Sequence, residues 1–123
     1  MRTNKIVLIG NASIFAAAIS GCSTPGALRN TTPDIVANSI KSAKTVAICI
    51  TDRWENGAGY LGTTVPVSMR ETEKGYTVMW LNGMGGAGML ADIDNTASGS
   101  RTLYYRGGVI GSGTFEASLR ECQ

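Results

Sequence analysis

The segment Val65–Leu81, VPVSMRETEKGYTVMWL, decides the fold of this 123-residue chain. Residues 65–71 alternate in polarity and carry β-branched side chains, which is the pattern of a half-buried strand. Residues 72–75 are polar and end in glycine, as in a turn, and residues 76–81 return with Tyr, Val and Trp. The segment therefore predicts a β-hairpin, and the rest of the domain has to cover its apolar face.

A second pair of strands follows the hairpin. Residues 89–94 and 101–106 have strand-like composition and flank a polar connection at residues 95–100. Short connections join antiparallel neighbours, so the four strands are expected to form a meander.

Helical patterns lie on both sides of these strands. Thr32-Pro33-Asp34 has the composition of a helix start, with a capping hydroxyl, a proline and a carboxylate in the first turn. An apolar stripe at helical spacing then runs to a stop at Asn56-Gly57; its members are Val36, Ile40, Ala43, Ala47, Ile50 and Trp54. The pattern leaves open whether residues 33–45 are helical or extended.

The C-terminal segment predicts a short amphipathic helix. Ser112 or Thr114 is its candidate cap, and Phe115, Leu119 and Cys122 share one face. With both helices on one face of the sheet, the expected fold is a two-layer α+β domain: a four-stranded antiparallel meander with an N-terminal and a C-terminal helix.

The first 22 residues have the layout of a targeting segment. Arg2 and Lys5 precede an apolar run, residues 6–19, that is shorter than the roughly 20 residues needed to span a bilayer. The run ends in Ile19-Ser20-Gly21-Cys22, which resembles the lipobox of bacterial lipoproteins. The resemblance implies that residues 1–21 are removed and that Cys22 carries a diacylglycerol anchor. Ser23 stands where aspartate tends to retain Gram-negative lipoproteins in the inner membrane, so the outer membrane is the expected location.

Three segments follow from this interpretation: a cleaved signal peptide at 1–21, a lipidated cysteine and flexible tether at 22–31, and a single domain at 32–123. Removal of the signal peptide takes away two of eleven basic residues and leaves nine against nine acidic ones. A mature chain without net charge, and without a cluster of Lys and Arg, gives no electrostatic reason to expect a nucleic-acid partner.

The cysteine count agrees with lipidation. Three cysteines would leave an odd thiol in an exported protein, but assignment of Cys22 to lipid leaves Cys49 and Cys122 as a pair. Both lie on apolar helix faces, and an oxidising compartment favours a disulfide between them. The chain has no histidine and no CxxC spacing, so we expect neither a metal site nor any cofactor other than the lipid.

Two short motifs resemble those of enzymes or ligand-binding loops. Residues 83–88 fit GxGxxG, but a strand rather than a helix follows, which favours a hairpin loop. Residues 92–96, DIDNT, resemble both the DxDxT motif of haloacid-dehalogenase-like phosphatases and the start of a calcium loop. The chain lacks the rest of either pattern. Asp92 and Asp94 are two apart on a strand and share a face, so a carboxylate-dependent hydrolase is possible, but it ranks last.

The candidate binding residues are on the last strand pair. Tyr104 and Tyr105 are adjacent on a strand, so one of them is expected to face outward. The preceding Ser98-Gly99-Ser100-Arg101 is similar to the Ser-Gly loop of periplasmic C-type lysozyme inhibitors, which implies a partner-binding region from Ser98 to Tyr105.

The whole pattern resembles the small uncharacterised lipoproteins of Gram-negative bacteria, with a lipobox, a short tether and a paired C-terminal cysteine. The resemblance implies a location and a disulfide but no activity. We therefore expect a non-enzymatic, lipid-anchored protein that faces the periplasm and binds an envelope protein or peptidoglycan. The alternative is an inhibitor of a lysozyme-type muramidase that acts through residues 98–105.

Overall fold

The computed structural model describes residues 24–56, 66–81, 87–107 and 112–123. The helices and strands in chain order are α1 Pro25–Arg29, β1 Ile35–Ser39, α2 Ala43–Asn56, β2 Val67–Glu71, β3 Gly75–Leu81, β4 Ala87–Thr96, β5 Gly99–Arg106 and α3 Gly113–Glu121. None of the helices in these ranges has the length and hydropathy needed to cross a membrane.

The strands form one antiparallel sheet in the order β1-β5-β4-β3-β2. The α+β class and the meander of β2 to β5 are confirmed. The predicted number of strands is wrong, because a fifth strand, β1, pairs with β5 at one edge of the sheet.

The predicted helix start at Thr32-Pro33-Asp34 is also wrong. Asp34 instead connects the chain to the sheet: its N–H donates to the Tyr104 carbonyl at 2.8 Å, and its Oδ2 accepts from the Arg106 N–H at 2.7 Å. These bonds lead the β-branched pair Ile35-Val36 into the ladder with β5. Pairing with a neighbouring strand thus outweighs the local helix signal, and residues 33–45 are extended first and helical only from Ala43.

The cap of α2 lies ten residues later than predicted. Ser42 Oγ accepts from the Thr45 N–H at 3.2 Å, so this hydroxyl satisfies one of the free N–H groups at the helix start. From here the predicted stripe is correct, since Ala43, Ala47, Ile50 and Trp54 are all fully buried.

One hydrophobic core lies between the sheet and the layer of α2 and α3. Trp54 is at its centre, with its ring edge-on to Tyr104 and Phe115 and its Nε1 donating to the Phe115 carbonyl at 3.0 Å. The predicted disulfide is confirmed: Cys49 of α2 is bonded to Cys122 at the end of α3, with their Cα atoms 5.7 Å apart. The two helices are therefore linked both through the core and covalently.

A second, smaller core lies on the opposite face of the sheet. Its buried members are Leu28, Ala87, Leu90 and Tyr105, with Met79 and Leu103 packed against them. Leu28 belongs to α1, within the segment predicted to be a flexible tether. That prediction is wrong for residues 25–29, because these residues form a helix that packs on the sheet.

Candidate functional site

Helix α1 is fixed to the sheet by an ion pair with two hydrogen bonds. Arg29 Nε donates to Asp92 Oδ2 at 2.8 Å and Arg29 Nη2 donates to Asp92 Oδ1 at 2.9 Å. Thr77 joins the pair, since its hydroxyl accepts from Arg29 Nη2 at 3.2 Å and donates to Asp92 Oδ1 at 2.7 Å. Planar, bidentate contacts of this kind hold both side chains in a fixed orientation.

The contact with Asp92 stabilises the charged form of Arg29. The hydrogen bond to Asp92 raises the pKa of the Arg29 guanidinium, and this outweighs the lowering effect of its partial burial. Both carboxyl oxygens of Asp92 already accept hydrogen bonds, Oδ2 from Arg29 and Oδ1 from Arg29 and Thr77.

A groove runs beside Arg29 on this face of the sheet. It has a volume of about 450 Å³ and is lined by Arg29, Thr72, Glu73, Lys74, Thr77, Asp92, Asp94 and Leu103. On the other side of Arg29 a smaller groove of about 250 Å³ adds Pro25, Arg70, Glu71 and Met79. Together they form what we call the α1 groove, a mixed-charge surface with apolar side chains between the charges.

The α1 groove contains both aspartates of the DIDNT segment. Asp92 and Asp94 lie on one face, as predicted, but they have different surroundings: Asp92 is bonded to Arg29 and Thr77, whereas Asp94 lines the groove. The residues that the structure describes bring together no group of three or more Cys, Asp or Glu side chains that could hold a metal ion.

The prediction that one of the two adjacent tyrosines is exposed is wrong. Tyr104 and Tyr105 do point to opposite faces of β5, but Tyr104 is buried in the α2 side core and Tyr105 is buried against Leu28. The expected outward position is covered because α1 packs on a face that the sequence left open. Neither ring is available to a partner in this fold.

Burial also affects the tyrosine hydroxyls. Desolvation, followed by the charge of Glu116, raises the pKa of Tyr104, and desolvation raises the pKa of Tyr105 to a smaller degree. The nearby Ser112 side chain has the opposite, weaker effect on the pKa of Tyr104, and its Oγ donates to Glu116 Oε1 at 3.1 Å. Among the described residues the Tyr104 hydroxyl has no hydrogen-bond partner.

The other two candidate residues are accessible. Ser98 is exposed in the two-residue turn between β4 and β5, and the Arg101 side chain is exposed on β5 opposite Asn38. Gly99 packs its backbone against Ser39 and Ile40, so this turn lies directly beside the end of β1. Ser98 and Arg101 thus adjoin β1 rather than an aromatic surface.

Two apolar side chains are exposed around β1. Val36 is 50% exposed and Ile40, just after the strand, is 92% exposed. We call this surface, made of Val36, Asn38, Ile40, Ser98 and Arg101, the β1 edge. Isolated exposed apolar residues are common, but one on an edge strand and a second just after it are a pattern typical of an interaction site.

The two edges of the sheet differ in protection. In the described part of the chain, β2 ends in the charged pair Arg70-Glu71 and follows Pro66, and charges and prolines at an edge discourage pairing with another strand. β1, with the sequence IVANS, contains no charged residue or proline within the strand, and Pro33, Asp34 and Lys41 flank it. The strand itself is therefore the less charged of the two edges.

Comparison with protein families, curated proteins and solved structures gave no match in any of the three. Cys22 lies outside the described residues, so its lipidation remains a prediction. Sequence reasoning missed Arg29, Lys74 and Thr77 of the α1 groove as well as the β1 edge. Thr24-Pro25 was a usable signal for α1, since Thr24 Oγ1 accepts from the Ala27 N–H at 3.1 Å as an N-cap.

Proposed function

We propose that this chain is a lipid-anchored protein of the bacterial outer membrane that faces the periplasm and binds an envelope protein without catalysing a reaction. The lipobox at residues 19–22 supports the anchor and the location. The disulfide supports an oxidising compartment, since such bonds persist mainly outside the cytoplasm. The β1 edge supports a protein partner.

The exposure of Val36 and Ile40 on an uncharged edge strand is the observation that carries the proposal. An extended segment of a partner that pairs with β1 would gain backbone hydrogen bonds and would cover these apolar side chains at the same time. Arg101 and Asn38 lie opposite each other beside the apolar residues and would supply the polar rim common in protein interfaces.

A polypeptide fits this surface better than peptidoglycan sugars do. Sugar-binding surfaces use exposed aromatic rings, and Tyr104 and Tyr105 are both buried. The same burial weakens the muramidase-inhibitor alternative, because only Ser98 and Arg101 of its four candidate residues are accessible. The turn at residues 97–98 is also short, which limits how far it could enter a cleft.

Site-specific photo-crosslinking in intact cells tests the proposal. A photoreactive residue at position 40 is expected to capture a discrete envelope protein, and Val36→Asp in the same chain is expected to abolish the capture. Position 48 provides the matched control, since Ile48 is also an exposed isoleucine, at 41%, but belongs to α2. Equal capture from positions 40 and 48, or none from position 40, would contradict a partner at the β1 edge.

A separate assay addresses the alternative. Purified protein at stoichiometric excess is expected to leave lysozyme activity unchanged. Inhibition that is lost in Arg101→Ala would replace the proposed partner with a muramidase.

A further inference from the structure

The chain between the proposed lipid anchor and the folded domain is very short. Only Ser23 lies between Cys22 and Thr24, the N-cap of α1. At roughly 3.3 to 3.6 Å per residue step, the Cα atoms of Cys22 and Thr24 are at most about 7 Å apart. A compact domain of about 100 residues has a radius of gyration of roughly 13 Å, so this link is too short to let the domain turn freely above a bilayer.

The helix that receives this link cannot swing away from the domain without loss of contacts. Leu28 is buried among Leu90 and Tyr105, and Arg29 is bonded to Asp92 and Thr77. α1 lies on the sheet face opposite to α2 and α3. The lipid attachment point is therefore on the α1 side, and the layer of α2 and α3 lies on the far side of the sheet from it.

The α1 groove lies on this same face and offers charges of both signs, as a site for a zwitterionic ligand would. Its cations are Arg29, Arg70 and Lys74, and its anions are Glu71, Glu73, Asp92 and Asp94. A zwitterionic phospholipid headgroup carries a phosphate and an ammonium group. The phosphate would lie near Lys74 and Arg70. The ammonium group would lie near Asp94 and Glu73. An anionic headgroup would meet more negative than positive charge.

We propose that the sheet face covered by α1, the α1 face, lies against the bilayer and that the α1 groove binds zwitterionic phospholipid headgroups. This proposal rests on the proposed lipidation of Cys22. The lipid anchor holds the protein at the membrane, and the groove fixes its orientation there. Each headgroup contact is weak because the groove is open to water, but the anchor keeps the local concentration of headgroups high.

Paramagnetic relaxation in nanodiscs tests this orientation. The full lipidated protein is reconstituted in phosphatidylcholine discs that contain a small fraction of lipid with a gadolinium chelate on its headgroup. Amides of Thr72 and Lys74 are expected to relax several-fold faster than those of Ile48 and Asp52, which are exposed further along α2. Equal relaxation of the two sets, or faster relaxation in α2, would overturn the proposal.

Two variants test the role of the groove. Lys74→Ala combined with Asp94→Asn is expected to reduce the difference between the two sets of amides, whereas Lys44→Ala on α2 is expected to leave it unchanged. A difference that survives in the groove variant would overturn the headgroup site. A difference seen only in discs of phosphatidylglycerol would overturn the zwitterionic ligand in favour of an anionic one, and a difference seen only in the presence of a second protein would assign the groove to that protein.

The mass of the reconstituted protein separates this proposal from the proposed function. A diacylglycerol on Cys22 together with equal relaxation would overturn the orientation alone. An unmodified Cys22 would overturn both the anchor and the orientation that rests on it.

Discussion

Arg29 and Asp92 are 63 residues apart in the chain and form a bidentate pair, Nε to Oδ2 at 2.8 Å and Nη2 to Oδ1 at 2.9 Å. The pair connects the first described helix to the middle of the sheet. Because α1 has only five residues, its own backbone cannot make it stable, and isolated helices of that length do not persist in water. The helix therefore depends on this contact and on the burial of Leu28.

Replacement of Arg29 tests that dependence. Arg29→Ala is expected to release α1, with faster amide exchange at Leu28 and Asn30 and a loss of about 1–2 kcal/mol in the free energy of unfolding. The estimate is at the low end for charged hydrogen bonds because the Arg29 side chain is 41% exposed, against 16% for Asp92. Urea unfolding and hydrogen exchange measure the two effects.

Arg70→Ala is the control for this variant, since Arg70 is exposed and belongs to none of the three ion pairs in the described ranges. It should leave α1 protected. If both variants have the same exchange pattern as the unmodified protein, α1 does not depend on Arg29.

Tyr104→Phe is expected to maintain or increase stability at neutral pH. The Tyr104 hydroxyl is buried and has no partner among the described residues, so its removal relieves a desolvation penalty of about 1 kcal/mol or more. Tyr76→Phe on β3 is the matched control, since Tyr76 is only partly buried. A clear loss of stability in Tyr104→Phe alone would show that the hydroxyl has a favourable contact.

Tyr104 should also make the stability of the fold sensitive to alkaline pH. Its pKa is raised above the ordinary value of about 10, so the native state holds the phenol proton more tightly than the unfolded state does. Stability is therefore complete below about pH 10 and falls as the pH rises above it. Denaturant midpoints measured from pH 8 to pH 11 should fall less steeply in Tyr104→Phe, and the raised pKa of Tyr105 should account for part of the remaining slope. An unchanged slope would contradict this assignment.

Loss of the disulfide should destabilise the domain without changing its fold class. The bond joins residues 73 apart, and removal of a cross-link over a loop of that length costs about 2–4 kcal/mol. Cys49→Ala/Cys122→Ala and the reduced protein should unfold at the same, lower denaturant concentration. A mass showing two free thiols in the protein as isolated would contradict the bond itself.

Gly99 is the position where a small substitution should disrupt the β1 edge. Its φ of 154° is rare for other residues, and a β-carbon there would overlap the Ser39 carbonyl oxygen and the Ile40 backbone. Gly99→Ala is expected to cost about 2 kcal/mol or more and to weaken crosslinking from position 40. Gly113→Ala at the start of α3 has no atom within 4 Å of the added carbon and should be tolerated. Equal stability of the two variants would show that the backbone conformation and packing at Gly99 do not require glycine.

Helices and strands with a regular apolar pattern over several residues could be predicted from the sequence. The hairpin of β2 and β3, the pair β4 and β5, and α2 from Ala43 to Trp54 all have regular apolar patterns and are present. The pairing of Cys49 with Cys122 followed from the cysteine count once Cys22 was assigned to lipid, and it agreed with their positions on the two predicted helices.

The errors have one physical source, which is pairing between distant segments. Thr-Pro occurs twice, and Thr24-Pro25 starts a helix whereas Thr32-Pro33 leads into strand β1. The local signals are alike; the difference is that Asp34 is bonded to Tyr104 and Arg106, about 70 residues later. The same long-range packing of α1 buries Tyr105, which strand alternation alone places on an open face.

The most direct test of the account is the mass of the N-terminal peptide of the protein isolated from membranes. We expect the chain to begin at Cys22, this peptide to carry a diacylglycerol, and Cys22→Ala to abolish palmitate labelling. A chain that retains Met1, or one with an unmodified thiol at Cys22, would contradict it.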